Sequence, residues 1–369
     1  MDAELSRPFN LCFRTLRTFG WWQNGKQSWL YFFFGYFSIF FIVEIYIVSQ
    51  VVYISSVESL NEFIDTLGLF LTYLATQSKT VNFLFKIRRI QKSVRDLDEL
   101  LKFTEPSSSR KRDRIRKKVK TIYLLYLAYW SSGFISCSAF SITIPIYHEL
   151  PYKLWFPFDV VTSEIGFLVA AVYTVVISYI VTAVAIALDI LPVIFIGFAV
   201  GLVEELGERL GEVKSSEELV KCVEIHNKIK IFIKDIQDNF ATVILIQGFM
   251  SSLILCVCAF SLSIDEKISS SSTVFVYLTP MVLEIFLPCY FGNEILIASS
   301  KLSASLFHAE WIQGDLKLMT NKRSVMENLK YDMKIRAFGI YKVNLETFNS
   351  ILNTAYSLFA VLKRVNGRG

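Results

Sequence analysis

The chain has 369 residues, 53% of them hydrophobic and 15% aromatic, and its mean hydropathy is +0.45. That composition excludes a soluble domain, and several apolar stretches exceed the ~20 residues that cross a bilayer, so the chain reads as one all-α integral membrane domain with short tails. The net charge of +5 marks no nucleic-acid partner, because the basic residues concentrate in loops beside apolar spans.

Seven spans are expected, at roughly 28–52, 63–85, 121–146, 165–203, 238–263, 273–300 and 339–362. Residues 1–27 form a tail with Trp21 and Trp22 where interfacial aromatics usually sit. The tail lacks an apolar core of signal-peptide type, so the first span is expected to direct insertion. That span contains Glu44 and the second contains Lys79. The loop 86–120 looks partly helical with a break at Pro106, and its dense basic run from Arg110 to Lys120 suits contact with anionic headgroups. The fourth apolar run holds Asp189 and Pro192. A hairpin turned there would leave Val193 to Val203 as a second arm of about 16 Å, against a bilayer core of about 30 Å. One long helix projecting inward is the better reading. A short loop, about 204–237, leads to the fifth span. After the sixth, Leu318, Val325, Leu329 and Met333 share one face of an amphipathic cytoplasmic helix over 317–333. These spans divide the chain into a tail (1–27), spans one to six (28–308), a cytoplasmic segment (309–338) and the last span with its short end (339–369).

The 38 Lys and Arg residues are distributed unevenly between these segments. The tail and the loops after the second, fourth and sixth spans carry 4, 14, 6 and 8, counting Lys342 at the mouth of the last span; the loops after the first, third and fifth carry 0, 1 and 1. Basic residues mark the cytoplasmic side. The N-terminus is therefore expected inside and the C-terminus outside, the reverse of a G-protein-coupled receptor.

The last span carries a second pattern. Glu346, Ser350, Asn353, Ser357 and Arg364 keep to one helical face, and the line turns apolar between Ala360 and Val361. Two readings fit: a helix–helix seam with cross-helix hydrogen bonds, or one stave of a water-filled pore narrowed at Val361. The pore reading requires several subunits around an axis.

Asp189 and Glu294 are expected near inner helix ends, while Glu44 and Glu284 lie deeper and either suits Lys79 as a partner. The outer halves of spans two, three, four and six supply Phe63, Phe70 and Tyr73; Trp130, Ser132, Phe134 and Ser138; Phe167 and Tyr173; and Val276, Tyr277 and Met281. A cavity so lined would hold a small apolar ligand by hydrophobic burial with one or two orienting polar groups. The six cysteines are scattered, and His148, His226 and His308 lack metal-ligand spacing. No metal or cofactor is implied, and no nucleophile–base motif or phosphate loop points to an enzyme.

The stretch 285–365 resembles the insect odorant receptor family. The residues that carry this are Phe291-Gly292-Asn293-Glu294, Ala309-Glu310-Trp311, Asn344-Leu345-Glu346-Thr347-Phe348, Ile351-Leu352 and Ala355-Tyr356-Ser357-Leu358-Phe359. The long fourth helix and the outer loop Trp155-Phe156-Pro157 support it. The resemblance implies a seven-helix subunit with the inside-N, outside-C orientation, four of which surround a cation pore. It also implies a heterotetramer with a shared co-receptor, in the plasma membrane of a sensory neuron dendrite, gated by a small volatile ligand. Carried onto this chain, 344–365 is the pore helix, with Glu346, Ser350, Asn353, Ser357, Arg364 and Val365 along the conduit and Val361 at the outer gate. Residues 317–333 become the subunit anchor. The short 204–237 loop fits a tuning subunit rather than the co-receptor. The gustatory branch's Thr-Tyr and Gln-Phe signature is missing from 355–359, and Lys363 and Arg364 are unusual beside a cation pore. A gustatory-type channel subunit, a metabotropic receptor and a secondary transporter are the alternatives.

Overall fold

The computed structural model describes residues 5–22, 29–39, 44–104, 109–148, 150, 152–264, 268–309, 316–337 and 341–366. In chain order these form α1 (Arg7–Thr18), α2 (Trp29–Ile39), α3 (Ile45–Ser56), α4 (Leu60–Phe103), α5 (Ser109–Ser141), α6 (Thr143–Tyr147), α7 (Glu164–Gly211), α8 (Ser216–Ile264), α9 (Ile268–Ser300), α10 (Leu302–His308), α11 (Leu316–Leu329), β1 (Arg336–Ala337), β2 (Tyr341–Lys342) and α12 (Leu345–Asn366). The two strands form one small antiparallel pair with Arg336 opposite Lys342. Everything else regular among the described residues is helical. By length and composition, helices within α5, α7, α8 and α9 are apolar enough to cross a membrane, and α3 is a shorter apolar helix.

The fold is organised around α7. Its first turn is set by Ser163, whose hydroxyl accepts the Gly166 amide at 3.1 Å, with Glu164 complementing the helix dipole. It continues unbroken through Pro192 for 48 residues, about 72 Å against a bilayer core of about 30 Å. Every residue from Ile186 to Val203 is buried. An apolar run with no polar face is therefore what this stretch requires, because other helices cover it on all sides.

The large core follows α7 through its apolar span and extends beyond the apolar spans of α4 and α8. Its members include Leu97 and Leu100 of α4, Phe195 and Phe198 of α7, Phe232 and Ile236 of α8, and Ile295 of α9. Helix α1 lays Phe9 against Phe195 and Phe198, with ring centroids 5.1 and 5.6 Å apart. Trp22 stacks on Phe13 at 3.7 Å. Trp21 and Trp22 are both buried in the protein's own core, not placed at a lipid interface, because the tail folds back onto α7. A second, small cluster of Tyr46, Tyr73, Leu154, Ile177 and Val181 sits at the other end of the bundle.

Several boundaries differ from the sequence reading. Most of the expected loop 86–120 is helix, since α4 runs to Phe103 and α5 starts at Ser109; Pro106 lies outside the described residues. The 204–237 loop shrinks to residues 212–215 between α7 and α8. Hydropathy marks only the apolar stretch of a helix, and these helices continue into charged sequence. Lys118, in the dense basic run, pairs with Glu204 at 2.7 Å and Glu294 at 3.3 Å, tying α5 to α7 and α9. The first span is divided between α2 and α3, with 40–43 outside the described residues.

The segment before the last helix also departs from expectation. Helix α11 ends at Leu329, so Met333 lies in the extended stretch leading to β1. The last helix starts at Leu345, not 339: Asn344 Oδ1 accepts the Thr347 amide at 3.0 Å, and Glu346 occupies the first turn. Gly292 of α9 explains the close approach at this junction, because a Cβ there would meet the Val343 carbonyl oxygen at 2.1 Å.

Candidate functional site

A cavity lies between the large core and the small second cluster. Four helices line it at helical spacing: Leu69, Thr72, Tyr73, Thr76 and Lys79 from α4; Tyr129, Gly133, Ser136, Cys137 and Phe140 from α5; Ser178, Val181, Thr182, Ala185, Ile186 and Asp189 from α7; and Tyr277, Pro280, Met281 and Glu284 from α9. Tyr152 from the loop before α7 and Ile254 from α8 complete it. The cavity encloses about 80 Å³.

One end is aromatic. Tyr73 stacks on Tyr46 at 3.9 Å, Phe140 stacks on Tyr152 at 5.7 Å, and Phe140 meets the Tyr277 ring edge-on at 6.0 Å. The Thr72 and Tyr277 hydroxyls are 2.5 Å apart and bridge α4 to α9. Most lining hydroxyls are already engaged. Thr72, Thr76 and Ser178 donate to backbone carbonyls of their own helices at 2.8–3.0 Å, and Thr182 meets Cys137 Sγ at 3.1 Å. Their polarity is thus satisfied locally, and a ligand meets mainly carbon.

The other end is ionic. Lys79 Nζ donates to Asp189 Oδ1 at 2.6 Å and to Glu284 Oε1, and the Tyr129 hydroxyl donates to Asp189 Oδ2 at 2.9 Å. Asp189 was expected near an inner helix end within reach of water; it is 4% exposed instead. Lys79 takes both Asp189 and Glu284, while Glu44 accepts a hydrogen bond from Gln77. Tyr277 and Glu284 are seven positions apart, so the two ends are about 10 Å apart along α9.

Of the residues the sequence assigned to the pocket, Tyr73, Tyr277 and Met281 border this cavity, and Phe63, Phe70, Trp130, Ser132, Phe134, Ser138, Phe167, Tyr173 and Val276 do not. Phe134 stacks on Trp130 at 3.9 Å on the outward face of α5, and Trp130 is exposed. Ser138 meets the Tyr179 hydroxyl at 2.8 Å. Phe167 stacks on His148 at 4.3 Å. Tyr173 borders a separate apolar groove with Ile45, Val48, Trp155, Phe156 and Pro157. Two backbone and side-chain hydrogen bonds between Ser49 and Trp155, at 2.5 and 3.3 Å, fix that loop on α3. On α5 the residues facing this cavity are Tyr129, Gly133 and Cys137, each one position, about 100° of rotation, from Trp130, Phe134 and Ser138. Gly133 carries no large side chain to suggest a binding role; a Cβ there would meet Ile186 Cδ1 at 2.7 Å.

On α12 the two faces differ. Phe348, Ile351, Leu352 and Ala355 pack against the core, with Phe348 edge-on to Phe286 at 5.5 Å. Glu346, Ser350, Asn353, Ser357, Val361 and Arg364 are all exposed. A shallow surface groove runs along most of this stripe. The stripe is therefore no seam between helices of this chain. The side chain of Val365 lies outside the described residues, as does that of Leu318. Leu329 and Met333 are buried in the chain's own core and Val325 packs on it.

The family model described as 7tm Odorant receptor matches residues 59–356. Odorant receptor 94a of Drosophila melanogaster is 28% identical over 229 residues, 59% of this chain and 59% of that protein. Odorant receptor 22b of Drosophila melanogaster is 20% identical over 96% of this chain and 91% of its own length. Among solved structures, the insect olfactory receptor OR5 from Machilis hrabei, in complex with eugenol, superposes with a TM-score of 0.81 at 17% identity, covering 98% of each chain. That last likeness concerns the fold.

Proposed function

The chain belongs to the odorant receptor family, and on that premise we propose that it is the ligand-binding subunit of an odorant-gated cation channel. It is a multi-pass membrane protein. In our reading seven spans put the N-terminus in the cytoplasm and the C-terminus outside, with the long extensions of α4, α7, α8 and α9 on the cytoplasmic side. The chain joins a co-receptor in a tetramer at the plasma membrane, α12 of each subunit faces the axis, and the cavity takes a small volatile hydrophobic molecule.

The observation that carries this reading is the exposed polar face of α12. Glu346, Ser350, Asn353 and Ser357 point away from the chain's own core, and lipid is an unfavourable environment for them. A water-filled conduit between subunits satisfies all four, and Val361 on the same face supplies an apolar constriction that closes by dewetting. The cavity supports the ligand half of the proposal. Its volume of about 80 Å³ is roughly half of the ~150 Å³ that accommodates benzene in an engineered core. A ligand of odorant size must therefore displace lining side chains, and that displacement is how binding energy favours one conformation over another.

Ligand-evoked current in cells expressing the chain with and without a co-receptor, across a panel of volatiles, tests the proposal. Current that requires both subunits supports it. Ligand uptake without current would favour a transporter, and surface staining of an N-terminal epitope on intact cells would contradict the orientation.

A further inference from the structure

The ionic end of the cavity is asymmetric in charge and in hydrogen bonding. Lys79, Asp189 and Glu284 are 3%, 4% and 6% exposed, and Lys79 is the only cation among the lining residues. One ammonium against two carboxylates leaves one formal negative charge in a site that water hardly reaches. Asp189 is satisfied on both oxygens, by Lys79 and by Tyr129. Glu284 is not. Lys79 reaches Oε1, and no described residue donates to Oε2. The nearby Gln247 amide goes to the Glu284 backbone carbonyl at 2.7 Å, not to the carboxylate.

A carboxylate oxygen left without a donor in an apolar setting is costly. This one borders the cavity, and the Tyr129, Thr72 and Tyr277 hydroxyls are committed elsewhere. The missing partner is therefore a donor brought by the ligand, and a cationic donor also cancels the residual charge.

We propose that the cavity selects small hydrophobic amines, with the protonated nitrogen donating to Glu284 Oε2 and the hydrocarbon lying toward Phe140 and Tyr277. This rests on the cavity being the odorant pocket. An alcohol of the same skeleton offers one neutral donor and binds more weakly. A carboxylic acid places a second anion beside Glu284 and is rejected.

The test is a thermal-shift titration of the full-length chain in detergent at neutral pH with benzylamine, benzyl alcohol and benzoic acid, three probes of one skeleton. The wild-type chain is expected to bind benzylamine about tenfold more tightly than benzyl alcohol, with benzoic acid weakest. Glu284→Gln should lower the ratio of amine to alcohol affinity by about the same factor. If that variant does not fold, the wild-type ranking decides alone. Benzyl alcohol binding as tightly as benzylamine, or benzoic acid binding more tightly, overturns the inference and leaves the odorant pocket standing. Failure of all three to bind overturns the inference; if the volatile panel also evokes no current, the proposed function falls with it.

Discussion

Lys79 of α4 and Asp189 of α7, 110 positions apart, meet at 2.6 Å with both side chains almost fully shielded. The pair, extended by Glu284, ties three helices together at the level where the cavity ends and the large core begins. Replacing Lys79 with Met leaves two carboxylates facing one another in a low dielectric, and breaking a buried pair in this way costs about 3–5 kcal/mol. We expect Lys79→Met to lose surface expression and melt at lower temperature. Neutralising Asp189 and Glu284 as Asn and Gln in the same chain should recover most of the loss. A triple variant no better than the single one would show that the charges were not the problem.

The pocket prediction separates neighbouring positions on the same helices. Tyr277 closes the cavity through Thr72 and borders it directly, whereas Phe134 stacks on Trp130 away from it. Tyr73→Ala and Tyr277→Ala should each shift odorant dose–response curves by about tenfold, with Phe134→Ala moving them far less. Dose–response recordings at matched surface expression check this. The reverse order would place the pocket in the groove bordered by Tyr173 or elsewhere.

Val361, the proposed gate residue, is 60% exposed on the polar face of α12. A polar side chain at an apolar constriction favours wetting, so Val361→Gln should raise ligand-independent current in cells that also express the co-receptor. Ser357→Ala, one turn inward, should alter conductance or ion preference more than resting current. Unchanged resting current, conductance and selectivity in a Val361→Gln protein that reaches the surface would assign this face to subunit packing.

How much of this was legible from sequence depends on the kind of signal. The membrane class and α7 as one helix followed from long apolar runs, and Pro192 did not mislead because the arm beyond it was too short to cross. The length of α8 was hidden because its first half, from Ser216 onward, is charged and carries no hydropathy signal although it is continuous helix. The polar stripe of α12 was readable from period alone, but whether it was buried required knowing that Phe348, Ile351 and Ala355 on the other face meet the core. The residues lining this cavity were the least legible. Aromatic content drew attention to Trp130 and Phe134, while the cavity wall is made by Gly133, Ser136 and Cys137, small residues whose contribution is the space they leave. Lys79 inside a span was the best available pointer, since an intramembrane charge needs a partner; its two partners, on helices far apart in sequence, emerge only in three dimensions.

The central claim is that ligand binding opens a conduit formed by this chain and its partner subunits, without a cytosolic messenger. Recording from outside-out patches, excised from cells expressing the chain with a co-receptor and bathed internally in nucleotide-free solution, tests it most directly. The account predicts that an active volatile evokes cation current in the excised patch, and that Tyr277→Ala shifts its concentration dependence. Current that is present in whole cells but lost on excision, and restored by adding guanine nucleotide, would contradict it.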